Sequence, residues 1–333
     1  RPWPLAASAL LGVVLAALSA WCRHHPRPSE VLRQIFPAVP PGDELRGKTA
    51  VVTGASAGIG VATARALVEA GARVIVGCRA EQRCREAAPG AEALRLDLAN
   101  LTSVSEFAHQ VAQKVPSLDI LILNAGVAGI GWLEVRRDEW GRELRFSTNH
   151  LGHFYLTLLL ETQLRAAAPA RVVVVSSRTH KYSPLLPRGA IVSLPNPEML
   201  QPGFPEFYPW IRDTKLYALS KLCNILFAEE LSRRWNGAVK AVSLHPGASM
   251  LSAGGESGWL LKAWLIFMVP WTKTVEQGAS TSIFAAASPD LQGGEYLSNC
   301  AVAQATHPDL TPDRARALWD LSLEELARSG LRV

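Results

Sequence analysis

Tyr217 and Lys221 stand four residues apart in LYALSKLCNILF, a stretch whose apolar spacing predicts a helix. At i and i+4 the two side chains share a face, so an ammonium can sit beside a phenol. A phenol titrates near pH ~10, too high for easy proton exchange at neutrality. A neighbouring cation favours its ionised form, which makes the pair a candidate proton donor and acceptor. Taken alone, the spacing also fits a solvated helix face. Three further groups fall into register upstream: Ser177 ends RVVVVSS, Asn149 lies in STNHLGHF, and Asn124-Ala125-Gly126 closes DILILNAG. Their joint occurrence points to a site.

A second pattern sits nearer the N-terminus. TGASAGIG, Thr53 to Gly60, separates the apolar run TAVV from the helix-like VATARALVEAGA. A glycine-rich turn between a buried strand and a helix lets the backbone approach a pyrophosphate, and the helix N-terminus offers it free N–H groups and a positive dipole. Gly54, Gly58 and Gly60 are spaced more widely than the commonest dinucleotide fingerprint, and Ser56 and Ile59 complete the turn. On its own this is also an ordinary tight turn; the downstream groups give it a role.

Both patterns need a frame that brings strand ends together. From Gly47 the chain alternates KTAVVT strand, GIGVATARALVEA helix, ARVIVG strand, LRLDL strand, a helix around Val104 to Val115, DILILNAG strand, a long helical region to Ala168, and RVVVVSS strand. Short Val/Ile/Leu runs between helices predict a parallel sheet buried on both faces. Right-handed crossovers make it an α/β, doubly wound, Rossmann-type sheet in one domain over residues 45–328. An N-terminal hydrophobic segment (1–22) and a linker (23–44) precede it.

The whole set resembles the short-chain dehydrogenase/reductase family over about residues 45–328. The finer likeness is to its retinol dehydrogenase branch and to the catalytic domain of the WW-domain-containing oxidoreductase. It is carried by NHLGHFYL at 149–156, SKLCNILF at 220–227, HPG at 245–247, TKTVEQGASTS at 272–282 and ALWDLS at 317–322. The resemblance implies a nicotinamide-dependent oxidoreductase. Tyr217 would protonate a carbonyl oxygen, with Lys221 and the oxidised nicotinamide favouring the phenolate. Ser177 would hydrogen-bond that oxygen, and Asn149 would hold a water linking Lys221 to solvent. It further implies that Asp97 and Leu98 flank an adenine, that Asn124, Ala125 and Gly126 line the cofactor site, and that Pro246 and Gly247 meet the nicotinamide end.

Cofactor preference is read after VIVGCR. A site for NAD would place a carboxylate at the strand end, whereas this chain has Cys78 followed by Arg79, whose guanidinium suits a 2′-phosphate. The expectation is NADP(H). Relatives place a hydroxyl four residues past Gly247; here Leu251 stands there, between Ser249 and Ser252. That departure and the long insert keep a second class open, an accessory or scaffold protein that retains the fold without turnover.

Substrate evidence lies in two aromatic segments. Between Ser177 and Tyr217 the chain carries seven prolines and ends in GFPEFYPW; GWLLKAWLIFMVPW at 258–271 follows the HPG turn. Both suggest a lipophilic substrate, a retinoid-like aldehyde or ketone first, or contact with the membrane that supplies it. Leu5 to Trp21 is free of charge and followed by Arg23, Arg27 and Arg33. It reads as a membrane anchor that keeps the folded domain on the cytoplasmic side of the endoplasmic reticulum or another organelle, or as a cleaved targeting peptide.

Composition excludes other classes. The net charge is +5, and the first forty residues supply +3 of it, so no nucleic-acid surface is indicated. Five cysteines without CxxC spacing predict reduced thiols and no metal site. The Asn100-Leu101-Thr102 sequon reads as a helix cap. A homodimer is compatible with everything above.

Overall fold

The computed structural model describes residues 45–128, 135–184, 209–247 and 273–331. Eight strands form one sheet in the order β3-β2-β1-β4-β5-β6-β7-β8. They are β1 Thr49–Thr53, β2 Arg73–Cys78, β3 Glu92–Arg95, β4 Ile120–Leu123, β5 Ala170–Val175, β6 Val239–His245, β7 Tyr296–Ser298 and β8 Ala301–Ala303. All pairings through β7 are parallel, and β8 turns back antiparallel on β7. This edge hairpin, three residues a side, departs from the all-parallel expectation; it is too short to show a pattern in sequence.

The helices are α1 Gly58–Glu69, α2 Glu81–Ala87, α3 Leu101–Lys114, α4 Leu144–Phe146, α5 Gly152–Leu159, α6 Glu161–Ala166, α7 Pro209–Arg234, α8 Val275–Ala287 and α9 Pro312–Arg328. Between α4 and α5 a π-helical turn runs over Ser147–Leu151. Strand side chains alternate between two cores, as the pleat requires. Val51, Leu121, Val172 and Val174 face a core shared with α3, α5, α7 and α9. Val52, Ile122, Val173 and Val175 face one shared with α1 and α8. Burial on both faces explains the unbroken Val/Ile/Leu runs.

Boundaries shift where a polar side chain decides them. Helix α3 begins at Leu101, ahead of Val104, because Asn100 accepts the Ser103 N–H at 2.9 Å as its N-cap. Helix α8 starts behind a capping box of Thr274 and Gln277. The expectation of reduced thiols is corrected at one place: Cys78, ending β2, is disulfide-bonded to Cys84 of α2, with Cα atoms 6.6 Å apart. A strand end and the first turn of the next helix bring the two sulfurs together although six positions separate them, a spacing no motif marks. Cys223 and Cys300 are free.

The apolar run 5–21, the linker, the proline-rich insert up to residue 208, and residues 248–272 with Leu251 lie outside the described residues. Among the described residues no helix is long and apolar enough to cross a membrane.

Candidate active site

The sheet order reverses direction between β1 and β4, and the crevice past their C-terminal ends is where an open α/β sheet takes a ligand. β1 runs directly into the glycine turn. Gly54 and Gly58 have φ of +75° and +62°, the left-handed region that favours glycine. At Gly60 a Cβ would lie 2.2 Å from Gly54 O and 2.5 Å from Asn124 Nδ2. Asn124 Nδ2 itself donates to Thr53 O at 2.9 Å and Gly54 O at 3.2 Å, so the turn and the end of β4 are locked together. The N-cap of α1, Ala57, provides no side-chain acceptor, and the first turn holds no acidic residue. Its N–H groups therefore suit an anion that comes from outside the chain. Ser56 and Ile59 are half-buried along this turn. The cradle fits a pyrophosphate.

Arg79 follows β2 and is exposed. At the end of β3, Asp97 Oδ1 accepts the Ala99 N–H at 3.1 Å. The Leu98 side chain is core, so only its backbone is free to meet a cofactor. Ala125 is tied to Thr53 Oγ1 through its N–H at 3.0 Å. A Cβ on Gly126 would stand 3.3 Å from both Asn149 Oδ1 and Lys221 Nζ, which places glycine directly against these two side chains.

Helix α7 carries Tyr217 and Lys221 to the end of β5. Lys221 Nζ donates to Val175 O at 2.9 Å and lies 5.7 Å from the centre of the Tyr217 ring. Tyr217 lies close enough to Ser177 for the serine to act on its titration. Ser176 is turned away: it is buried and donates to Lys221 O at 2.7 Å, which leaves Ser177 as the serine beside Tyr217. Burial lowers the Lys221 pKa to about 8. Burial raises that of Tyr217, and the Ser177 contact offsets this only in part. The resemblance assigns the phenolate to Lys221 together with the oxidised nicotinamide; the chain by itself, through desolvation, favours the phenol.

Asn149 sits in the π-turn with its side chain largely spent on protein partners. Its Oδ1 accepts the Val127 N–H at 2.7 Å; its Nδ2 donates to Val127 O at 3.1 Å and to Ser220 Oγ at 2.9 Å. Ser220 in turn donates to Tyr217 O at 2.8 Å, so Asn149 braces the helix that presents the phenol. Pro246 and Gly247 follow β6. Gly247 has φ +101°, and a Cβ there would meet Lys273 Cδ at 2.4 Å. Lys273 Nζ reaches Asn299 Oδ1 at 2.8 Å and Pro246 O at 3.3 Å. Nδ1 of His245 accepts from the Arg178 N–H at 3.2 Å, and burial first, then Arg178 and Lys273, lowers this imidazole to about 4.

Several positioning groups escape sequence reasoning. Arg145, buried, pairs with Glu143 at 2.7 Å and with Asp213 at the start of α7. Breaking such a buried pair by removing one member costs about 3–5 kcal/mol. The arrangement spans sixty-odd positions of chain, and only the apolar flanks of Arg145 in LRFSTN hint at its burial.

With this geometry in view, the short chain dehydrogenase family model matches residues 48–185. The WW domain-containing oxidoreductase of Gallus gallus is 37% identical over 302 residues, 87% of this chain and 70% of the relative. Retinol dehydrogenase 14 of Homo sapiens is 37% identical over 306 residues, 84% and 86% of the two chains. A crystal structure of an uncharacterized protein from Mycobacterium paratuberculosis superimposes with a TM-score of 0.63 at 30% identity, covering 88% of this chain and 97% of that one. The Pseudomonas aeruginosa RhlG/NADP complex, at 23% identity and a TM-score of 0.59, shares the fold over 78% of this chain and 97% of that one.

The chain belongs to the short chain dehydrogenase family. It is an oxidoreductase that moves a hydride between a nicotinamide cofactor and an alcohol or carbonyl group.

Proposed function

We propose that the protein is an NADP(H)-dependent carbonyl reductase or alcohol dehydrogenase acting on a lipophilic substrate, a retinoid-like aldehyde or ketone first. The observation that carries the reading is the convergence of Ser177, Tyr217 and Lys221 at the end of β5, beside a glycine cradle with an uncapped helix N-terminus. When bound, the nicotinamide supplies or takes the hydride. The protein's own groups handle the oxygen. Ser177 Oγ donates to the carbonyl oxygen as negative charge grows there, and the Tyr217 hydroxyl delivers the proton. Lys221, positively charged below about pH 8, stabilises the resulting phenolate. Asn149, through Ser220 and Val127, keeps α7 and the loop after β4 in register. Arg79, exposed after Cys78 with no carboxylate at the strand end, supports preference for the 2′-phosphate.

The reading extends to a membrane as substrate source, with Leu5 to Trp21 as anchor, and to a folded domain on the cytoplasmic side. Following NADPH and NADH oxidation with a panel of lipophilic aldehydes tests it. Faster turnover with NADPH and longer-chain aldehydes is expected. Cofactor binding without turnover of any of them would favour the scaffold reading.

A further inference from the structure

His153 lies one helical turn beyond Asn149 and is fully buried, yet no step above uses it. Its two ring nitrogens are both engaged. Nδ1 is 3.0 Å from Asn149 O, and Nε2 is 2.8 Å from Thr53 Oγ1. A carbonyl only accepts, so Nδ1 carries the hydrogen and Nε2 of the neutral ring is an acceptor. Burial keeps the ring neutral, at about 3, so that acceptor persists over the working pH range.

Thr53 Oγ1 is already an acceptor twice, from the N–H groups of Asn124 and Ala125, each at 3.0 Å. Its own hydrogen has two places to go: His153 Nε2 at 2.8 Å or Ile122 O at 3.4 Å. The shorter contact wins. The hydrogen bonds then run one way, from the Asn124 and Ala125 amides to Thr53, to His153, and to the Asn149 carbonyl. Val127, two residues past Ala125, is clamped from the other side by the Asn149 side chain. The loop that closes β4 is thus held at both ends by one helix, through His153 at one end and Asn149 at the other.

We propose that His153 is a positioning residue for cofactor binding, fixing through Thr53 the Asn124-Ala125-Gly126 loop against the glycine turn. This rests on the nicotinamide-cofactor reading above. Removing the acceptor leaves the Thr53 hydroxyl free to swing toward Ile122 O, and the amides of Asn124 and Ala125 lose a fixed partner. The loss falls on cofactor affinity, since neither residue reaches Tyr217 or Ser177.

The test measures NADPH and NADH dissociation constants by fluorescence titration, with kcat at saturating cofactor, for wild type, His153→Phe, His153→Gln, Thr53→Val and the double variants. His153→Phe and Thr53→Val each weaken the preferred cofactor about tenfold, with kcat held within about threefold. The double variant is no worse than the weaker single, because both break one chain. His153→Gln, which keeps an acceptor, recovers part of the affinity. Unchanged affinity in a folded His153→Phe, losses that multiply in the double variant, or a loss confined to kcat would overturn the proposal. Should His153→Phe not fold, the cycle of His153→Gln with Thr53→Val decides by the same multiplication criterion. A wild-type protein that binds neither nucleotide removes the cofactor reading and this proposal with it, whereas wild-type binding with no effect of the variants removes this proposal alone.

Discussion

The two halves of the site are built in opposite ways. Around the ends of β1 and β4 the side chains are committed and closely packed, and only the uncapped N–H groups of α1 are left for a ligand: Gly60, Gly54 and Gly126 all lack room for a methyl group or face a polar side chain at close range. Around the ends of β5, β6 and β7 the chain keeps groups in reserve. Nε2 of His180 and Nε2 of His245 are buried without a hydrogen-bond partner among the described residues, Arg178 is exposed, and Tyr217 is half-buried. A rigid half suits an invariant ligand such as a dinucleotide. A half with unspent polar groups suits a ligand that varies, and that is where the reacting oxygen must enter.

The sharpest way to break this contrast is Tyr217→Phe. Removing the hydroxyl in the open half takes away the proposed proton donor and leaves the packed half untouched. Turnover should fall by at least about 1000-fold while NADPH binds as before. Residual rates within tenfold of wild type would take Tyr217 out of the mechanism.

The converse variant attacks the packed half. Gly60→Ala places a methyl where Gly54 O and Asn124 Nδ2 stand at 2.2 Å and 2.5 Å. Overpacking of this kind costs about 1–3 kcal/mol, and here it must also open the cradle. Denaturant unfolding should show that loss, and affinity for NADPH and NADH should drop together. Wild-type binding in this variant would show that the cradle is looser than its contacts.

How much was legible follows the same divide. The glycine turn, Asn124-Ala125-Gly126 and the Tyr217–Lys221 pair were readable because each is dictated by a few neighbouring residues: a positive φ, a strand end, a helical turn. Asn100 as a cap was readable for the same reason, and α3 starts where it dictates. What stayed hidden is long-range. Nothing local pairs Arg145 with Asp213, or aims His153 at Thr53 across a hundred positions of chain. The raised pKa of Tyr217 was also hidden, since it depends on how deeply α7 is covered, which spacing cannot report. The Cys78–Cys84 bond needed the geometry of a strand end against the helix that follows.

Arg79 sharpens the comparison at the rim of the packed half. It is exposed, so its removal disturbs no packing. Arg79→Ala should weaken NADPH by about 1–3 kcal/mol, the worth of a charge-assisted contact, and leave NADH nearly unchanged. Equal losses for both nucleotides would sink the phosphate assignment and leave Arg79 a general feature of the surface.

The mildest test uses pH and needs no change in the packed half at all. Burial lowers the Lys221 pKa from 10.5 to about 8 in the folded chain, while the unfolded chain keeps the ordinary value. Between those values the unfolded state binds more protons, so stability contributed by this site rises with pH across the window, by on the order of 3 kcal/mol in total. Below pH 8 the lysine is charged in both states and the burial cost is borne in full. Activity runs the other way. Carbonyl reduction needs the ammonium to stabilise the phenolate left by Tyr217, so kcat/KM should fall about tenfold per unit as pH rises past 8. Lys221→Met should lose the stability rise, measured as the difference from wild type in denaturant unfolding at pH 8 and pH 10, and should show no activity break near 8. A wild-type profile flat to pH 10, with stability unchanged over the same range, would mean that solvent or a partner keeps Lys221 charged and that the open half is wetter than its contacts imply.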